Sequence, residues 1–301
     1  MEYPPISIIC YSRLDKLKNL VQSLLNCHGA HNHEVYFFID GPKAGDEKII
    51  NSVKSYCRDI IGFKSVTIFN NDVNNYDQNV SKSFKFPLEK HGKVILLEDD
   101  VVVGQSFLNF MTHNLTVFEN SEQIFSISAE CPRILDTQGF KAESQFWQIV
   151  NGSNIGLWNS KVAQAERWRS IHHPYERIVS NFRNIRKYCS IANFSDLLHL
   201  REIYLAKKTY YDALWGAYCF MEDKYTVFPS VSLCFNSGHD GSGLHCMKDE
   251  TLMEPPRFGE YHPVEAISLD LKTADENTKK FVNRNKTRLS EIKALYRHLK
   301  N

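Results

Sequence analysis

No Cys-x-x-Cys pair occurs among the eight cysteines, which stand at 10, 27, 57, 131, 189, 219, 234 and 246. That spacing excludes the common structural zinc sites. Cys10, Cys219 and Cys234 lie inside apolar runs, where a reduced cysteine acts as a small hydrophobe. The pattern predicts a reducing compartment. No stretch approaches the roughly 18 apolar residues that a membrane-spanning helix needs. Met1–Pro5 shows no basic region leading into an apolar one, so the sequence predicts no signal peptide and a cytoplasmic location. Charge of one sign is also lacking. Lys and Arg number 36 against 35 Asp and Glu, a net charge of +1, which removes any global field drawing the chain to nucleic acid. Internal repeats, low-complexity tracts and clear linkers are missing too. The 301 residues suit one large α/β domain with additions, or two smaller ones.

What is present is an alternation of short apolar runs and amphipathic stretches. Ile6–Tyr11 reads as a buried strand, and Ser12-Arg13-Leu14-Asp15 as a capping box. Leu14, Leu17, Leu20, Val21, Leu24 and Leu25 then recur at helical spacing. Val35–Ile39 is a second strand, ending at Asp40-Gly41-Pro42; Ile49 to Ile60 is a helix; Ser65–Phe69 is a third strand. A helix over Val80–Glu89 leads to a fourth. This β-α-β-α-β-α-β order predicts a parallel sheet with helices on both faces. Ligands then belong at the carboxyl ends of its strands.

The fourth strand carries the strongest signal. Val94-Ile95-Leu96-Leu97 runs directly into Glu98-Asp99-Asp100, followed by Val101-Val102-Val103-Gly104. Three adjacent carboxylates at the end of a buried strand need compensation, because they repel one another and lose hydration. A cation is the simplest compensation, so this strand is expected to deliver a metal-and-phosphate site. Tyr11 to Arg13, Asp40 with Gly41, and Glu98 to Asp100 all fall at strand ends that a parallel sheet brings to one edge.

Further on, Phe107 to Phe118 reads as a helix and Ile124–Ala129 as a strand. The glycines and tryptophans of 146–158 suggest a turn near a pocket. Residues 162–208 read as helical, with His172-His173-Pro174 a loop, and Tyr210–Trp215 opens another helix. Tyr225–Phe235 is expected as an edge or bulged strand because Pro229 interrupts it. The loop from Asn236 to Cys246 has three glycines, able to place backbone N–H groups near an anion. The tail, Asp275–Asn301, sets eight Lys or Arg against three acids at near-helical apolar spacing. It is expected to pack on the domain or on another subunit, or to touch anionic membrane where lipid-linked acceptors reside.

Ile9-Cys10-Tyr11-Ser12-Arg13, Asp40, Glu98-Asp99-Asp100-Val101, Tyr211-Asp212 and the Gly/His loop at 236–246 together resemble the nucleotide-sugar-dependent glycosyltransferases of the GT-A fold. The resemblance is to the N-acetylglucosaminyltransferase I type and to bacterial relatives that build surface polysaccharides, over roughly residues 5 to 247. It implies a Rossmann-like, mixed, mostly parallel sheet flanked by helices. Residues 1–247 would form the transferase domain, with 1–104 as nucleotide-binding half and 105–247 as acceptor half and flexible loop. Residues 248–301 would be a C-terminal extension with the basic helix.

In the resembled family the acidic triplet is a variant of the Asp-x-Asp motif. The resemblance implies that Asp100 binds Mn²⁺ or Mg²⁺ on the donor diphosphate, with Glu98 and Asp99 toward the ribose and the donor sugar. Cys10, Tyr11 and Arg13 would line the nucleotide end, and His245 would reach the diphosphate or the metal. Asp40 would accept a hydrogen bond from uracil N3–H, implying a UDP-sugar; the Gly41-Pro42 that follows departs from the pattern and leaves the base open. Asp212 would be the general base of an inverting transfer to a hydroxyl of a glycan or lipid-linked glycan, with Glu222 and Asp223 as rivals. A sugar-nucleotide nucleotidyltransferase would want a glycine-rich turn after the first strand, and 10–13 has no glycine. A non-catalytic nucleotide-sugar sensor, or a plain carbohydrate-binding protein, would show no turnover.

Overall fold

A computed structural model describes residues 2–131, 142–240 except 149, 151, 153, 190, 193 and 207, and then 257–264, 267 and 274. Its first half alternates as the apolar runs require: β1 (Ile6–Cys10), α1 (Leu14–Leu25), β2 (Glu34–Ile39), α2 (Glu47–Arg58), β3 (Ser65–Asn70), α3 (Tyr76–His91) and β4 (Lys93–Glu98). β5 (Val101–Val103), α4 (Phe107–Val117), β6 (Ile124–Ser128), β7 (Ser144–Trp147) and β8 (Asn154–Trp158) follow. Helices α5 (Asn159–His172), α6 (Pro174–Val179), α7 (Phe182–Tyr188), α8 (Phe194–Tyr204) and α9 (Tyr211–Met221) precede β9 (Tyr225–Pro229) and β10 (Cys234–Asn236).

Eight strands form one sheet in the order β3-β2-β1-β4-β8-β6-β9-β7. The β1–β2, β1–β4, β2–β3 and β6–β9 pairings are parallel; β8 runs against β4 and β6, and β7 against β9. The architecture is thus α/β: a Rossmann-like mixed sheet, mostly parallel in strand direction, with helices packed on it. One core packs α1, α2 and α4 against the sheet through Leu17, Leu20, Leu24, Ile50, Val53, Phe107 and Met111. A second joins Phe84 and Leu88 of α3, Leu96 and Trp215. A third unites α6 to α9 around Tyr188 and Leu214.

Several local expectations are corrected. Ser12 makes no cap: α1 begins at Leu14 with Arg13 as its N-cap and no side-chain capping bond. The acidic stretch is not one strand, because β4 ends at Glu98 and a turn at Asp99-Asp100 sends Val101–Val103 into a separate two-stranded sheet with β10. Pro229 does not mark an edge strand. β9 lies between β6 and β7, and the proline closes its last position, while a register shift sits at Ile124/Ser126. His172 ends α5 and His173, at φ 45°, joins it directly to α6.

α3 begins four residues earlier than its apolar spacing shows, capped by Asn75, whose side chain accepts from Gln78 N at 3.0 Å. It also holds Pro87 within its span. Proline lacks the N–H that would bond Ser83 O. The buried hydroxyl of Ser7 on β1 donates to that carbonyl instead, at 2.6 Å.

Residues 257–261 return to the sheet domain. Phe258 packs on Gly104, Tyr261 joins the first core, and its hydroxyl bonds His113 Nδ1 at 2.6 Å. The basic helix expected at 275–301 and Cys246 lie outside the described residues. The other seven cysteines are buried, and no disulfide forms among the described residues. No helix among them is long and apolar enough to cross a membrane.

Candidate functional site

The three strand ends converge. Asp40 N donates to Cys10 O at 3.1 Å, joining the ends of β2 and β1. From the cap of α1, Arg13 Nη1 donates to Asp100 Oδ2 at 2.8 Å, and Nη2 forms an ion pair with Asp99. The cation that the acidic turn requires is therefore supplied first by the chain itself. Asp99 and Asp100 are each only 3% exposed, so without the guanidinium their charges would be stranded.

Burial, with Asp100 adding to it, pushes Asp99 up to about 6 against the pull of Arg13 and of the Tyr11 backbone N–H. Burial, then the charges of Asp100 and Asp99, push Glu98 up to about 8, with Asp212 adding to them and Arg13 opposing. Both effects disfavour the charged form of Glu98.

The short β5–β10 pair brings residues 236–238 over Asp100. Ser237 donates twice to Asp100 O, from N at 2.8 Å and from Oγ at 2.7 Å. Lys16 Nζ of α1 ties Ser237 O at 2.7 Å. A Cβ at Gly238 would meet Asp100 Oδ2 at 2.2 Å, so only glycine lets the turn lie this close. Asp100 Oδ1 is buried and has no hydrogen-bond partner among the described residues. An unpaired carboxylate oxygen fits Mg²⁺ or Mn²⁺, which take hard oxygen donors and share their shell with phosphates and water. No group of three or more His, Cys, Asp or Glu that could hold a metal occurs among the described residues. Asp100 would therefore be the principal protein ligand.

Asp212 stands exposed in the first turn of α9. It lies near enough for its charge to act on both Glu98 and Tyr76. Its Oδ1 accepts from Ala213 N at 2.9 Å, and Gly152 comes against it, where a Cβ would stand 3.2 Å from Asp212 Cβ. The rivals are elsewhere. Glu222 accepts from Trp168 Nε1 at 2.7 Å and Asp223 from Gln148 Nε2 at 3.2 Å. Both lie past the far end of α9, about 15 Å along a helix of 11 residues.

The remaining expected residues divide. Cys10 keeps its side chain in the core and offers only backbone to the cleft. Tyr11 is half-buried; its hydroxyl donates to Asp46 and accepts from Lys43 N at 3.0 Å, fixing the β2–α2 loop. Asp40 is 4% exposed and bound to its own neighbourhood. Oδ1 accepts from Gly41 N (2.9 Å), Asn75 N (3.0 Å) and Asn71 Nδ2 (3.3 Å), and Oδ2 from Asn74 Nδ2 (3.1 Å). Little acceptor capacity is left for a base. His245 lies outside the described residues.

Tyr76 was not singled out from the sequence. It opens α3 with its ring substantially exposed. Burial of its hydroxyl and the charges of Glu98, Asp212 and Asp77 raise its pKa. The Asn-rich segment before it gave no apolar periodicity from which to place it.

No family model and no curated protein matches the sequence. Among solved structures, a mannosyltransferase from Pyrobaculum calidifontis in complex with GDP-Man and Mn²⁺ aligns at 9% identity over 73% of this chain and 74% of that one, with a TM-score of 0.36. TarS of S. aureus (residues 1–349) in complex with UDP-GlcNAc aligns at 12% identity over 55% and 48%, TM-score 0.36. A cytidylyltransferase from Leptospira borgpetersenii aligns at 13% identity over 59% and 68%, TM-score 0.33. The chain spans 30% of the longer TarS structure and 49% of the shorter. Likenesses this faint do not distinguish transfer of a sugar from transfer of a nucleotide.

Proposed function

We propose that this chain is an inverting glycosyltransferase that moves a sugar from a nucleotide-sugar donor, a UDP-sugar, to a hydroxyl of a glycan or lipid-linked glycan. One observation supports the reading: Arg13, Asp99 and Asp100 form one cluster at the end of β4, and Asp212 at the start of α9 lies near enough for its charge to act on Glu98 beside them. The first can hold a diphosphate and the second can take a proton.

In the proposed reaction the acceptor oxygen attacks the anomeric carbon while Asp212 removes its proton. The bond from that carbon to the diphosphate oxygen breaks on the opposite side. Arg13 lies where a diphosphate would meet the acidic turn, and its two-armed guanidinium suits phosphate oxygens. Glu98 and Asp99 lie toward the ribose and the donor sugar. A divalent ion held by Asp100 would supply Lewis-acid neutralisation of the departing diphosphate.

The test is turnover. A panel of nucleotide sugars is incubated with the full chain and glycan acceptors, and nucleoside diphosphate release is followed. Asp212→Asn is expected to lose about 100-fold or more in kcat with donor binding unchanged. Transfer at near wild-type rate in Asp212→Asn would overturn the assignment of the base. Release of pyrophosphate from a nucleoside triphosphate and a sugar phosphate would mark a nucleotidyltransferase instead.

A further inference from the structure

Strand β3 is the outer strand of the eight-stranded sheet and pairs only with β2. Two bonds at the strand ends fix its hydrogen-bonding phase. Asp40 N donates to Cys10 O, which turns the even positions of β2 toward β1, and Asn71 N donates to Ile39 O, which turns the odd positions toward β3. Tyr36 is level with Thr67, so strand alternation directs the N–H and C=O of Val66 and Ile68 away from the sheet. No hydrogen bond meets them among the described residues. Edge strands usually carry a lysine, a proline or a bulge that blocks further pairing. Ser65–Asn70 has no charge, no proline and no shift of register. Ile61 and Val73 flank it, 83% and 73% exposed, the two most exposed large hydrophobic side chains among the described residues. Each stands six positions from Thr67.

We propose that β3 pairs antiparallel with β3 of a second copy of this chain, about a two-fold axis at Thr67. Such an interface requires each position before Thr67 to suit the position equally far after it, and this stretch meets that condition. Val66 comes level with Ile68 of the second copy, and their outward N–H and C=O groups exchange hydrogen bonds on both sides of the axis. The same pairs set β-branched side chains together on one face, which favours pairing. On the other face Thr67 meets its own copy, and Ser65 comes level with Phe69. Phe86, 37% exposed and 4.7 Å from the Phe69 ring, extends the apolar surface there. Ile61 of one copy is level with Val73 of the other, so each exposed side chain finds an apolar partner. Lys64 comes level with Asn70, and no like charges oppose each other between 61 and 73. A foreign strand would not need this symmetry about Thr67; a second copy does.

The test is sedimentation of the full chain at concentrations up to about 100 µM, where twice the mass of one chain is expected. Thr67 is exposed, so Thr67→Lys is expected to keep the wild-type melting temperature. It sets two ammonium groups against each other at the axis and is expected to weaken dimerisation by about tenfold or more. Cross-linking reads the register, in a Cys246→Ser background where the other seven cysteines are buried. Partners in a non-hydrogen-bonded antiparallel pair stand about 4.5 Å apart at Cα, within disulfide reach. Thr67→Cys is therefore expected to form a disulfide between copies with oxidised glutathione. Ser65→Cys sets its two Cα atoms about 13 Å apart and is expected not to. A monomer throughout the range, a dimer that Thr67→Lys leaves intact, or equal cross-linking at 65 and 67 would overturn the proposal. A monomer whose Val66 and Ile68 amides resist hydrogen exchange would also overturn it, and would put a segment of this same chain on the edge.

Discussion

Arg13 Nη1 donates to Asp100 Oδ2 at 2.8 Å across 87 positions of sequence. The bond joins the cap of α1 to the acidic turn after β4. It makes the first helix part of the site proposed to hold the diphosphate, and the ion pair is sheltered, with the Arg13 side chain 26% exposed and that of Asp100 4%. Replacing Arg13 by Ala should cost about 3 kcal/mol, because two buried carboxylates lose their partner. Arg13→Lys should recover only part of that, since one ammonium cannot serve both acids. Urea unfolding at neutral pH measures both variants.

His33 gives a pH dependence away from the site. It is 1% exposed, and its neutral ring donates from Nδ1 to Pro4 O at 2.8 Å. Burial lowers its pKa from 6.5 to about 4. A neutral folded form against a readily protonated unfolded one stabilises the fold above pH 6.5. That contribution declines as pH falls from 6.5 through 4, by up to about 3 kcal/mol. Denaturation curves across this range should show the loss in the wild type and a flatter profile in His33→Gln.

Ser7 and Pro87 should be coupled. The Ser7 hydroxyl meets the carbonyl that Pro87 leaves without a donor, so Ser7→Ala should cost about 1–2 kcal/mol. In a Pro87→Ala background the helix supplies its own N–H to Ser83 O, and the same substitution should cost measurably less. A double-mutant cycle reads the difference.

Asp40 anchors the Asn71–Asn75 loop with three hydrogen bonds and accepts a fourth from Gly41 N. Asp40→Ala should destabilise the chain by about 2 kcal/mol or more. If Asp40 instead reads a uracil ring, Asp40→Asn will leave thermal stability intact and abolish the preference for uridine over other nucleotides.

Much of this architecture was legible in the sequence. The buried strands β1 to β4 announce themselves as apolar runs, and three strand ends in a parallel sheet had to share an edge. The amphipathic faces of α1 and α2 were equally plain. What was not legible depends on long-range geometry. Nothing local to Arg13 tells that its guanidinium turns to Asp99 and Asp100 and leaves the Ser12 cap unused. Val101–Val103 continues the apolar run of β4, and only pairing with β10 reveals that it belongs to another sheet. Tyr76 precedes the periodic part of its helix, and only the fold brings it within reach of the charges of Glu98 and Asp212. Asp40 shows the converse: a strand-end acid in a ligand-facing position that the Asn-rich loop beside it occupies.

The central claim is that Asp100 and its neighbours hold a metal-bound nucleoside diphosphate. Calorimetric titration of UDP into the full chain, with and without Mn²⁺, tests it most directly, beside Asp100→Ala. UDP should bind in the presence of Mn²⁺ and weaken by about tenfold or more when the metal is withheld or Asp100 is replaced. Undiminished, metal-dependent binding of UDP to Asp100→Ala would contradict the account.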